Sequence, residues 1–235
     1  MQAKLQSVFN TKPFPLIVSP PGNDPEMALA ALGSGADALK LHCNLKHPAS
    51  GLEFGSFKEE RDRLRAVVGV AERTPVGVVP GAQVPPSRDD LLGLIDLGAD
   101  FVDFFAKFFP AWALTLLESF ERVGRMVAVD EHWTLDEIQA LEHMGFQFIE
   151  AAFVPKSGYG SFLSARDIVD YKIMAESVAI PVIVPTQRKI APDEIGALRA
   201  VGVRGIAIGA VVTGLEVSGV ERVTRAFRDA IDSAL

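Results

Sequence analysis

The chain of 235 residues holds a single cysteine, Cys43, so no internal disulfide can form and no thiol cluster is available for zinc. Histidine is scarce as well: His42, His47, His132 and His143 do not form an H-x-x-x-H or similar local pair of metal ligands. No stretch approaches the roughly 18–20 consecutive apolar residues of a membrane-spanning helix, and no membrane partner is expected. The opening MQAKLQSVFNTKPFP lacks both a long apolar segment and a small-residue cleavage site, which makes the cytoplasm the expected location. Positive charge is in deficit, with 23 Lys+Arg against 30 Asp+Glu and a net charge of −7. Such a chain has no basic stripe with which to neutralise a phosphate backbone, so nucleic acid is not an expected partner. A small phosphorylated ligand stays open, because one local nest of N–H donors can hold it.

What is present is ordinary core material, 49% hydrophobic and 23% charged residues, which excludes intrinsic disorder. Four segments share one pattern, a helix end, a glycine and then a strand: ALGSGADALKLHCN, LIDLGADFVDFFAK, LEHMGFQFIEAAFV and LRAVGVRGIAIGAV. Their glycines, Gly35, Gly98, Gly145 and Gly202, suit the left-handed position that ends a helix. Between them lie four more apolar runs, PLIVSP, PVGVVPG, RMVAVD and PVIVPT, each bounded by a turn former. Helical patterns with acidic first turns alternate with these strands. The strands are continuously apolar, as in a sheet covered by helices. Eight such units predict one (β/α)8 barrel of the α/β class over residues 1–235. A doubly wound open sheet fits less well, since no G-x-G-x-x-G follows the first strand.

Alternate strands of a barrel supply the same layer of inward side chains. Five residues after the repeated glycines stand Lys40, Asp103, Glu150 and Ala207, which are therefore expected to meet inside. Two residues on, the same face carries His42, Phe105, Ala152 and Gly209, and two further on Asn44, Lys107, Val154 and Val211. Lys40 with Asp103 and Glu150 reads equally as a structural ion network or as working groups. Asp130, Glu131 and His132 follow the fifth strand as a polar cluster at the catalytic end, or as the cap region of the next helix near Thr134. Phosphate in this architecture commonly sits at the loops after strands seven and eight. That directs attention to Gly209 and Gly214 and to Arg188 or Lys189, with Lys156, Ser157 and Gly158 added by the sixth loop. The long loop HCNLKHPASGLEFGSFKEE after strand two could close over a substrate.

The segments VAVDEHWTLDEIQALEHMGFQFIEAAFVPKSGYGS, PVIVPTQRKIAPDEIGALRAVGV and IAIGAVVTG resemble the ribulose-phosphate-binding barrel superfamily. From about residue 98 to 214 the chain is most similar to N-acetylmannosamine-6-phosphate 2-epimerases. That resemblance implies phosphate binding near Gly209 and Ala210, a substrate-facing Asp130 and a basic residue at Lys40. The lysine that family carries after strand three and its carboxylate after strand seven are replaced here by Val79-Pro80-Gly81 and Pro185-Thr186-Gln187. A local string, Lys107-Phe108-Phe109-Pro110-Ala111, resembles the K-F-F-P-A around the Schiff-base lysine of 2-keto-3-deoxy-6-phosphogluconate aldolases. Val184-Pro185-Thr186 is similar to the start of their P-T-G-G phosphate loop, though two extra strands intervene and Gln187-Arg188 replace the glycine pair.

The expectation is an enzyme acting on a small phosphorylated sugar or keto acid without cofactor or metal, with self-association left open. The leading chemistry is a Schiff-base lyase at Lys107, with Asp130, His132 and Glu150 handling protons. Phe104, Phe105, Phe108 and Phe109 would supply the apolar setting, and Lys40 or Lys156 the neighbouring cation, that such a lysine needs. His42, Asn44, Asp103 and Lys156 are expected to contact substrate. Ser157, Gly158, Arg188, Lys189, Gly209, Ala210 and Gly214 are expected around the phosphate. The alternatives are a cofactor-free isomerase or epimerase using Lys40 with Glu150 or Asp130, and a non-catalytic barrel that binds a phosphometabolite. A metal-assisted enzyme using His42, Asp103, Asp130 and Glu150 is the third.

Overall fold

Four helices end at a glycine that turns the chain into the next strand, and three of the four begin at a side-chain cap. In a computed structural model, which describes residues 3–234, Ser87 and Ser164 open helices α4 (Arg88–Leu97) and α7 (Ala165–Ser177) with reciprocal capping boxes to Asp90 and Asp167. Thr134 caps α6 (Leu135–His143) and Asp24 caps α2 (Pro25–Gly33). Gly35, Gly98, Gly145 and Gly202 all have the expected positive φ, between 85° and 113°.

The eight predicted strands form: β1 (Leu16–Val18), β2 (Ala38–His42), β5 (Val76–Val79), β6 (Phe101–Phe105), β7 (Gly124–Ala128), β8 (Phe148–Glu150), β9 (Val182–Pro185) and β10 (Gly205–Ile208). Neighbours in sequence pair in parallel, and β1 pairs with both β2 and β10, which closes the barrel. The remaining helices are α1 (Lys4–Thr11), α3 (Phe57–Ala71), α5 (Ala111–Glu118), α8 (Ile195–Ala200), α9 (Ala210–Thr213) and α10 (Val217–Ser233). The long loop after β2 folds into an antiparallel hairpin, β3 (Leu45–Lys46) with β4 (Glu53–Phe54). Among the described residues no helix is long and apolar enough to cross a membrane.

The barrel interior is layered. Ala38, Phe101 and Phe148, each three residues after a helix-ending glycine, form its floor with Gly205 at the fourth corner. Ile17, Met126 and Ile183 from the other strands lie next, and Gly77 completes their set. Helix α1 plugs the bottom with Leu5 and Phe9, the Phe9 ring 5.1 Å from that of Phe148. Gly77 has no side chain for a reason of volume: a Cβ there would overlap the buried Phe101 ring. Gly77→Ala is therefore expected to destabilise the fold by about 1–3 kcal/mol, and Phe101→Leu in the same chain to recover part of the loss. Denaturant midpoints at constant m-value check this, and an unchanged midpoint for Gly77→Ala would contradict the packing.

Candidate active site

Above this apolar floor the next layer is charged. Lys40, Asp103 and Glu150 are all buried, and the Lys40 Nζ donates to Asp103 Oδ2 at 2.9 Å and to Glu150 Oε1. The register read from the glycines thus holds, with Ala207 as the fourth, apolar member. One ammonium against two carboxylates leaves an excess negative charge out of water, which is costly. The triad relieves it by taking up a proton. Burial first, and the Asp103 carboxylate second, push the Glu150 carboxyl up to about 8. A protonated Glu150 donates to Asp103, whose Oδ1 otherwise has no hydrogen-bond partner among the described residues. Burial alone would drive the proton off Lys40, but the two carboxylates outweigh it and raise its affinity for the proton above the ordinary lysine range.

The triad is the base of a cavity of about 490 Å³ that opens at the C-terminal ends of the strands. His42, Phe105, Ala152 and Gly209 line it one layer higher, as their spacing predicts. His42 shares a three-ring cluster with His47, 4.5 Å away, and Phe54, 5.1 Å away. Burial, then the neighbouring His47 and Lys40, keep His42 well below the ordinary histidine range, and burial holds His47 down to about 4. Both rings are therefore neutral near pH 7, and His42 Nδ1 has no partner among the described residues. The His42–His47 contact is missed by a search for local ligand pairs, because only the hairpin turn brings the two together. No group of three or more metal-binding side chains occurs among the described residues.

At the mouth, Lys107 follows β6 on a short 3-10 turn and faces Asp130 Oδ2 at 2.8 Å. Its side chain is 50% exposed and lies over the Phe105 and Phe108 rings. Phe104 and Phe109 do not surround it. Strand alternation sends Phe104 to the opposite face, where it packs on Phe109 at 4.6 Å. The charge partner of Lys107 is thus Asp130, one of the groups expected to carry protons for it, and Lys40 and Lys156 line the same cavity. Burial alone would raise Asp130, but hydrogen bonds from the Lys107 ammonium and the His132 amide outweigh it and hold its carboxyl below the ordinary range.

Several expected site residues serve the scaffold. His132 is exposed and offers Asp130 only its backbone N–H, at 2.9 Å, while Glu131 lines the cavity in its place. This segment is already the entry to α6. Asn44 has a left-handed φ of 55° and spends its amide on Val84 O, pinning the hairpin to the loop after β5. Arg188 turns outward: Asp167, Gly158 O and Ser161 Oγ take its guanidinium, which ties the sixth loop to α7. Gly158 packs beneath Arg188, where a Cβ would come within 2.7 Å of its Nη1. Ser157 and Lys189 are exposed outside the cavity lining, and Gly214, at φ 70°, caps the C-terminal end of α9. Of the residues expected around the phosphate only Gly209 and Ala210 reach the cavity, where Lys156 also stands on the rim.

Ser19, Tyr159 and Gln187 line the cavity without having been anticipated. The two-residue step that connects Ile17 to Ser19 on the first strand carries the signal for Ser19. Gln187 braces the site, accepting from Val154 N–H and donating to Ala152 O and the Tyr159 hydroxyl. No sequence pattern announces that arrangement.

The triad makes stability depend on pH with a definite sign. The Glu150 carboxyl binds its proton more tightly folded, to about 8, than unfolded. Its contribution is complete below the ordinary carboxylate range and is lost as pH rises towards 8. Between about pH 5 and about pH 8.5 the wild type is expected to lose a few kcal/mol relative to Glu150→Gln, which has no proton to release. Parallel stability curves for the two proteins would contradict a protonated Glu150.

No protein-family model matches the chain, and no curated protein sequence matches it. Solved structures do resemble it. Mycobacterium tuberculosis tryptophan synthase matches with a TM-score of 0.72 at 16% identity, over 98% of this chain and 99% of that one. Thiamine phosphate pyrophosphorylase from Pyrococcus furiosus matches with a TM-score of 0.66 at 18% identity, over 95% of this chain and 98% of that one. A native KDPGal structure matches with a TM-score of 0.66 at 18% identity, over 95% and 97%. Identities this low speak for architecture and leave chemistry to the site. The chain is a (β/α)8 barrel.

Proposed function

We propose that the protein is an enzyme that moves a proton at the carbon beside the carbonyl of a small phosphorylated sugar or keto acid, in the manner of a cofactor-free isomerase. The observation that carries this reading is the Lys40–Asp103–Glu150 triad at the base of the cavity, whose Glu150 carboxyl is tuned to about 8. An acid–base group works best when its affinity for the proton lies near the working pH. Ionised Glu150 takes the proton from the substrate C–H, and the electron pair moves onto the carbonyl oxygen as an enolate. Glu150 thereby becomes neutral, and the Lys40 ammonium, until then shared by two carboxylates, retains only Asp103. Its charge is released toward the cavity as negative charge develops on the substrate, a stabilisation stronger in the transition state than in the ground state. Where that carbon bears a hydroxyl, its O–H proton passes to the former carbonyl oxygen, and Glu150 returns the carbon-bound proton to the former carbonyl carbon, which completes an isomerisation.

The phosphate is assigned to the backbone at Gly209 and Ala210, in line with the resemblance to ribulose-phosphate-binding barrels. Neutral His42 offers an uncharged polar contact over the reacting carbons. The Lys107–Asp130 pair faces the substrate from the mouth. A Schiff base at Lys107 is the second reading, favoured by the presence of Asp130 within 2.8 Å to carry the protons of imine formation.

Incubation in D2O with a panel of ketose phosphates and phosphorylated 2-keto acids, followed by NMR, separates the two. Deuterium is expected at the carbon next to the carbonyl of at least one compound, with a rate that rises with pH to a plateau above about 8. Glu150→Gln should lower that rate by about 10²–10⁴-fold, while Lys107→Met retains most of it. Borohydride trapping of substrate on Lys107, with loss of exchange in Lys107→Met, would replace proton transfer by the lyase reading. Thermal stabilisation by a panel compound without exchange or product would overturn both readings in favour of a binding barrel.

A further inference from the structure

Helix α7 presents to solvent a face that the barrel does not use. Tyr171, Met174 and Asp167 point inward, while Arg166, Val169, Lys172, Ile173 and Glu176 point out. Val169 and Ile173 are 46% and 39% exposed, and Phe162, just before the helix, is 77% exposed. Of the nine exposed large hydrophobic side chains among the described residues, five lie on α7, the segment leading into it, or the two ends of its neighbour α6, where Leu135 and Met144 stand. Apolar exposure gathered on one side in this way marks an interaction surface, whereas scattered exposed residues need no explanation.

The charges around the apolar strip indicate what covers it. Arg166 lies in the first turn and Glu176 in the last, with Val169 and Ile173 between them. Asp170 and Lys172 complete a set of two cations and two anions, so this face is locally neutral on a chain of net charge −7. Two copies can approach here without the repulsion that their net charge imposes elsewhere. A parallel arrangement would place Arg166 beside its own image. An antiparallel arrangement at an inclined crossing places Val169 against Ile173 of the second copy and Arg166 near Glu176 of the second copy, in both directions at once. Such self-complementarity is what a twofold interface requires. The pair that Glu176 now makes with Lys172 is solvent-exposed and weak, so it competes little with an intermolecular pairing, whereas Arg166 is held by Asp170 through two bonds and can add Glu176 of the second copy as a further partner.

We propose that the protein forms a homodimer through α7, packed antiparallel against α7 of a second copy about a twofold axis between Val169 and Ile173. Sedimentation equilibrium of the full chain tests this. The wild type should be dimeric at micromolar concentrations. Ile173→Glu, at an exposed position that leaves the fold intact, should weaken the dimer by at least about tenfold. Arg166→Glu and Glu176→Arg should each weaken it by about fivefold, and the two together should restore it to within about twofold of the wild type. Thermal midpoints of the separate variants, read beside the dissociation constants, confirm that each is folded. A wild type that stays monomeric to several hundred micromolar overturns the dimer. A dimer indifferent to Ile173→Glu overturns this face as its interface. A double charge exchange weaker than either single variant overturns the antiparallel pairing.

Discussion

Everything above the floor of this barrel depends on one buried ammonium. Lys40 reaches two carboxylates, Asp103 from a strand two places round the barrel and Glu150 from the strand directly opposite. The fourth member of the layer is the small Ala207, and the layer beneath is dry. Phe101, Phe148 and the α1 plug exclude water from below, so the triad has no exit for its field except upward into the cavity. A low-dielectric floor strengthens every charge interaction in the layer it supports. The same floor makes an unneutralised triad expensive, and a proton on Glu150 is the cheapest remedy within reach.

This constraint explains why the neighbouring polar groups are neutral. An imidazolium at His42, one step above Lys40 on the same strand, would add a second cation to a buried site; burial and Lys40 together prevent it. The hairpin that brings His47 and Phe54 over His42 keeps water from that ring and deepens the effect. Farther out, at the mouth, water is present and the rules relax. Lys107 and Asp130 pair there as ordinary ions, and Lys46 and Lys156 stand on the rim.

The inner site was legible in the sequence because two periodicities run through it. A helix-ending glycine sets a constant distance to the strand that follows, and a strand alternates its faces every two residues. Counting from Gly35, Gly98 and Gly145 therefore places Lys40, Asp103 and Glu150 in one layer before any coordinate is known. The count fails where the strands stop. Asn44 turns left-handed, His132 already belongs to a helix entry, and Arg188 finds Asp167, 21 residues earlier, in place of an anion in the cavity. Loop direction depends on which tertiary partner is nearest, and no period encodes it. The aldolase-like string shows the same limit at side-chain scale: Phe104 and Phe109 are near Lys107 in sequence but pack on each other instead, Phe104 because β6 alternates through it and Phe109 because the 3-10 turn reorients the chain before it.

The cavity thus holds two carboxylates driven in opposite directions by their surroundings. Glu150, dry and crowded by Asp103, is raised towards 8; Asp130, hydrogen-bonded by an ammonium and an amide near water, is lowered. Groups separated in this way can divide acid and base work between them at one pH. Only the inner one exchanges its proton near neutrality, while the outer one remains a fixed negative charge that positions Lys107. In the proposed reaction an anionic substrate would meet the Lys107 ammonium first and the Lys40 ammonium last, and the second would gain free charge only when Glu150 accepts a proton. Burial sets that order, and on the proposed reading it would assign the chemistry to the deep pair and capture to the outer one.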